Sequence, residues 1–90
     1  MELRFTRHAL ERMFQRGISP KNCENVFANG KIIESYPEDK PFPSELRVAI
    51  IDQKVLHVVI CYDKIVAHII TVYEPDPHLW EDNFTKRRKK

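Results

Sequence analysis

Residues 7–19 read RHALERMFQRGIS, and the periodicity of this stretch decides how the chain begins. On a helix successive residues rotate by about 100°, so positions four apart drift by only about 40°. With His8 as origin, Arg12 falls near 40° and Arg16 near 80° by the same rotation. Ala9, Leu10, Met13 and Phe14 fill an arc from roughly 100° to 240°, the face expected to be buried. His8, Arg12 and Arg16 therefore run along the border of that face, where long side chains lie over whatever the helix packs against.

The flanking residues carry start and stop signals. Thr6 is placed as an N-cap, with Phe5 and Leu10 at the positions of a hydrophobic staple. Gly17 stands where a helix C-terminus takes a left-handed residue. Ser19-Pro20 is an N-cap followed by proline at the first helical position. The second helix carries Cys23, Val26 and Phe27 on one face and ends near Asn29-Gly30. A helical hairpin follows.

From Lys31 the period changes to that of strands. KIIESY (31–36) reads as a strand, and PEDKPFP (37–43), with three prolines, as a loop. ELRVAIID, VLHVVICY and IVAHIITVY are rich in β-branched residues and separated by the polar turns Asp52-Gln53-Lys54 and Asp63-Lys64. A turn at Asp63-Lys64 sets residue 57 opposite 70, grouping His57 with His68, Ile70 and Val72 and sending Thr71 and Tyr73 to the other face. HLWEDNF (78–84) is expected to form a short closing helix anchored by Trp80. The expected architecture is α+β: an N-terminal helical hairpin packed on a four-stranded, mainly antiparallel sheet. Residues 1–85 form one domain, and 86–90 a basic, disordered tail.

Composition bounds the function. Ninety residues, 42% hydrophobic and 31% charged, make one small globular domain. The net charge of +2 hides an asymmetry: without KRRKK (86–90) the chain has 10 basic against 13 acidic residues, or −3. A nucleic-acid partner must then engage local patches rather than a general positive field. The two cysteines, Cys23 and Cys61, have no metal-ligand or disulfide-framework spacing. No apolar run reaches membrane-spanning or leader length, so the expected setting is the cytoplasm, with no membrane partner.

Phosphate-binding glycine loops, Ser-His-Asp spacing and H-E-x-x-H are lacking, and arginine is not a metal ligand, so neither a metal nor a cofactor is expected. The inventory of histidine, tyrosine and arginine suits one chemistry, cleavage of RNA through its own 2′-hydroxyl. That reaction needs a proton acceptor, a proton donor and cations on the phosphorane. An imidazole, with an unperturbed pKa of about 6.5, exchanges protons near neutral pH. The same residues also fit a plainer account: a hydrogen-bonded core histidine at position 57 and surface arginines on the first helix.

The runs FTRHALERMFQRGIS, NGKIIESYPEDKPFP, LHVVI and ITVYEPDPHLWEDNF resemble the small bacterial family called domain of unknown function 4258. The resemblance covers nearly the whole chain, from Phe5 to Phe84, through the motifs H-x-x-x-R-x-x-x-R-G-I, N-G, L-H-V-V and T-V-Y-x-P-D-P-x-x-W. It implies a compact RNase-toxin fold of the RelE and barnase-like kind, found beside a zinc-finger or helix-turn-helix antitoxin. Matched motif by motif, the implied site residues are His8, Arg12, Arg16, His57, Thr71 and Tyr73. Arg7, Arg47, Lys86, Arg87 and Arg88 are the further cations expected to hold RNA, free or on the ribosome. The alternative is a non-enzymatic module whose basic helix docks an acidic partner or nucleic acid.

Overall fold

The computed structural model describes residues 1–89. The chain runs β1 (Glu2–Phe5), α1 (Arg7–Arg16), α2 (Pro20–Asn29), β2 (Lys31–Tyr36), β3 (Ser44–Ile51), β4 (Lys54–Asp63), β5 (Val66–Tyr73), β6 (Trp80–Glu81) and β7 (Lys86–Arg87). The helical hairpin forms as its caps require. The Thr6 hydroxyl accepts from Ala9 N–H and the Ser19 hydroxyl from Asn22 N–H, while Gly17 adopts the left-handed conformation at φ 64°. Gly30 closes α2 for a steric reason: a Cβ there would lie 2.4 Å from the Val26 carbonyl oxygen.

The α+β class stands, but the sheet has five strands, not four, in the order β1-β5-β4-β3-β2. The additional strand precedes the helices and pairs parallel with β5, from Glu2 opposite Val66 to Phe5 opposite Ile69. The other pairings are antiparallel. The β4–β5 turn sits one residue later than expected, with Asp63 opposite Val66, and Ile70 is an extra residue in a bulge beside Val59 and Ile60. Beyond that bulge every side chain of β5 changes face. Thr71 and Tyr73 therefore join His57, and Val72 leaves it.

The two helices cover one face. Ala9, Met13, Ile18, Cys23 and Val26 pack there on Leu56, Val58, Ile60, Ala67, Ile69 and Val72. Each fully buried Val, Leu or Ile contributes about 1.5–3 kcal/mol relative to exposure. The buried arc of α1 is narrower than its apolar pattern: Leu10 is 49% and Phe14 90% exposed.

The opposite face carries Leu46, Val48, His57, Val59, Cys61, Thr71 and Tyr73, by strand alternation and register. One end of it is covered by the C-terminal segment, which is a β6–β7 hairpin and not the closing helix expected for 78–84. Asp82, Asn83 and Phe84 all have positive φ, a run that breaks helical geometry. Trp80 anchors this hairpin as expected, at 4% exposure. Within the segment 86–90 expected to be disordered, Lys86 and Arg87 form β7, and Arg88 N–H donates to the Leu79 carbonyl at 2.8 Å. Lys90 lies outside the described residues. Among the described residues no helix is long and apolar enough to cross a membrane.

Candidate functional site

β1 ends opposite Ile69, so among the described residues the outer edge of β5 from Ile70 to Tyr73 has no strand partner. Helix α1 supplies one with side chains. The Thr6 hydroxyl donates to the Ile70 carbonyl at 3.2 Å, and Arg16 Nη1 donates to the Val72 carbonyl at 2.8 Å. Two orphan carbonyls of a free edge are thus taken by the first and last residues of one helical segment. The helix whose border carries His8, Arg12 and Arg16 is thereby tied to that edge at both ends, through Thr6 and Arg16.

Each member of the border has a distinct state. His8 is exposed. Arg12 is half-buried, and its Nη1 donates to Gln15 Oε1 at 2.8 Å. Arg16 is exposed apart from the bond to Val72, whose chain neighbours are Thr71 and Tyr73. Arg7, 94% exposed in its side chain, pairs with Glu11 at 3.3 Å.

His57 is elsewhere. Its side chain is fully buried on the sheet face opposite the helices. Nε2 lies 2.8 Å from the Phe84 carbonyl, which can only accept, so Nε2 carries the proton. Nδ1 is then an acceptor, and the Tyr73 hydroxyl donates to it at 3.2 Å. The ring packs edge-on against Trp80, with centroids 4.4 Å apart, and against Tyr73 at 5.2 Å. Burial pushes the pKa of His57 below its ordinary value, outweighing the Phe84 carbonyl and Glu34, which favour the cation. Burial likewise raises the Tyr73 hydroxyl. The six residues expected as one site therefore divide. Arg16 reaches the free edge, His8 and Arg12 stand on the same helix, and Thr71 and Tyr73 rise from the edge on the far face. His57 sits beneath the C-terminal hairpin and reaches the others only through Tyr73.

The further cations divide in the same way. Arg47 faces the helices, not the surface expected for RNA. Its guanidinium donates to the Phe27 carbonyl, Glu45 and the Tyr62 hydroxyl, and stacks 5.3 Å over the Phe27 ring. Burial and then the hydrogen bond to Glu45 push the Tyr62 hydroxyl up to about 12. Arg47 and His57 are diagonal neighbours on opposite faces, since Arg47 pairs with Val58 and Val48 with His57.

The tail cations stay exposed but find partners within the protein. Arg87 stacks 4.7 Å over Trp80 and pairs with Glu34 at 3.2 Å. Arg88 reaches Glu81 at 3.6 Å and the Pro77 carbonyl at 2.9 Å. Lys86 lies 4.0 Å from Asp82.

Sequence reasoning missed the row Tyr36, Ser44, Cys61, His68 and Arg4, which crosses the sheet in register on the face away from the helices. The signal that would have found it is pairing register, which periodicity alone does not contain. Burial, then Asp63, raises the Cys61 thiol, so this cysteine is not an activated nucleophile. Among the described residues no three His, Cys, Asp or Glu side chains gather as a metal-binding group.

The family model described as "Domain of unknown function (DUF4258)" matches residues 5–74. The chain belongs to that family. Neither the curated proteins nor the solved structures provide a match. The matched span ends one residue past β5, so it takes in the helix border, the free edge, His57 and Tyr73, and stops before the C-terminal hairpin.

Proposed function

Taking a chain of the DUF4258 family as the premise, we propose that it is an RNA-directed endoribonuclease working without metal, of the kind deployed as a toxin in the bacterial cytoplasm. The observation that carries this reading is the attachment of α1, which bears the cationic border, to the free edge of β5 through Thr6 and Arg16. A border so held presents Arg12 and Arg16 to a phosphate at a fixed height over the strand, with His8 one turn further along. The same reading groups the fold with RelE-like and barnase-like RNase toxins, in which helices cover one sheet face.

In this mechanism the His8 imidazole accepts the proton of the 2′-hydroxyl. The 2′-oxygen forms a bond to phosphorus, the bond to the 5′-oxygen breaks, and water protonates the departing oxygen. Arg12 and Arg16 neutralise the charge that builds on the phosphorane. His57 does not touch substrate; it is a positioning residue that fixes the Tyr73 hydroxyl from below. The products are a 2′,3′-cyclic phosphate and a 5′-hydroxyl. A zinc-finger or helix-turn-helix antitoxin is the partner this reading calls for. The outward pair Leu10 and Phe14 on α1 offers it apolar area beside the cations.

One observation favours a second reading, a module that binds RNA or an acidic protein without cleaving. Both nitrogens of His57 are committed inside the protein, which leaves His8 as the exposed imidazole on the cationic border. Binding of a single-stranded RNA across a salt series tests what the two readings share. Arg12→Glu with Arg16→Glu should abolish most binding, and each lost phosphate contact should lower the log–log salt slope by about 0.7. Native affinity in the double variant would refute the helix border as the RNA site.

A further inference from the structure

On the sheet face away from the helices lies a cavity of about 360 Å³ beneath the proline-rich loop, within the size range of about 300–1,000 Å³ typical of small-ligand sites. Val59 and Ile70 line it from the strands, and Phe42 comes from the loop. Asp39, Lys40 and Ser44 supply its polar groups. Ser44 Oγ donates to Asp39 Oδ2 at 2.6 Å, which orients the carboxylate and leaves Oδ1 to accept from a ligand. An apolar floor, an aromatic side chain and a fixed carboxylate form a site for a flat ring that carries N–H donors on its edge.

Ile70 ties this cavity to the phosphate site. Its side chain lines the cavity, while its carbonyl accepts from Thr6 at the start of α1. Ile70 is also the bulged residue: alternation from His68 keeps its side chain on the face of Val59, and the bulge brings Thr71 to that face beside it. The cationic helix border and the cavity thus stand on two sides of one residue at the free edge of β5. We infer that the cavity is a nucleobase subsite: an RNA strand crossing the β5 edge lays its phosphates on Arg12 and Arg16 and inserts a base bearing an exocyclic amino group against Phe42 and Asp39. This inference rests on the RNA reading above and adds the base to it. Lys40, at the cavity rim, meets the adjoining phosphate.

The test uses the full chain and fluorescently labelled, uncleavable 2′-O-methyl hexanucleotides, measured by anisotropy. The probes are hexacytidylate, hexauridylate and a hexamer of abasic sugar-phosphates. Hexacytidylate should bind about tenfold or more tightly than the abasic hexamer, the size of one stacked base, and more tightly than hexauridylate. Phe42→Ala should remove most of the first difference. Asp39→Asn, an exposed change that leaves the fold intact, should remove the second. Equal binding of the abasic hexamer and hexacytidylate overturns the base subsite and leaves the phosphate reading standing. Binding of no hexamer at all overturns the RNA reading, and this subsite with it.

Discussion

The Tyr73 hydroxyl donates to His57 Nδ1 at 3.2 Å across the β4–β5 pair, and the opposite ring nitrogen holds the Phe84 carbonyl at 2.8 Å. One buried imidazole therefore joins the last core strand to the C-terminal hairpin. His57→Ala should cost about 3 kcal/mol, combining a cavity beside Trp80 with two stranded polar groups. Urea denaturation monitored by circular dichroism measures it. A loss below about 1 kcal/mol would contradict a central structural role.

The burial of the same imidazole gives a pH dependence. Burial holds the folded pKa of His57 below the unfolded value of about 6.5, so the unfolded chain takes up the proton first as pH falls. The contribution of His57 is fully present above about pH 6.5 and is lost as pH falls from there toward the folded pKa. The melting temperature should drop through this window in the native chain, and the drop should shrink in His57→Gln. Parallel curves for the two proteins would place the titration elsewhere.

Arg47 separates fold from function. Arg47→Met keeps the aliphatic stem but leaves Glu45 with the Tyr62 hydroxyl and no cation, and the Phe27 carbonyl without its donor, costing about 2–3 kcal/mol. Its RNA affinity, measured where the variant remains folded, should equal that of the native chain. A large loss of affinity with intact circular dichroism would return Arg47 to the RNA surface.

Truncation after Thr85 removes β7 and the Arg87 guanidinium that lies over Trp80 and pairs with Glu34. The shortened chain should melt at lower temperature, and emission from its single tryptophan should shift to longer wavelength as Trp80 gains water. Unchanged emission and melting would mean that the hairpin closes without its second strand.

Local chemistry made the helical hairpin legible. Thr6, Gly17, Ser19 and Pro20 act within a turn of themselves, so their positions alone fix both helices. The border of His8, Arg12 and Arg16 was legible for the same reason. β1 was not, because four alternating residues gain a strand only by pairing with β5, some 64 positions away. The faces of Thr71 and Tyr73 were hidden by one bulged residue at Ile70, which reverses every side chain after it. The C-terminal hairpin escaped because Asp82, Asn83 and Phe84 take three left-handed conformations in succession, common enough singly for Asp and Asn but unusual for a phenylalanine. Arg47 and His57 read as site candidates because a sequence shows charge and ring but not which face of a sheet will bury them.

The most direct test of the central claim is the rate of RNA cleavage by the purified chain in excess chelator, with the product ends identified. The native protein should cut RNA and leave 2′,3′-cyclic phosphates. His8→Ala, folded by circular dichroism, should be slower by about 10²–10⁴-fold, the usual cost of losing a proton-transfer group. Cleavage by His8→Ala at the native rate, or no cleavage by the native chain, would contradict the account and leave α1 as a border that binds without catalysing.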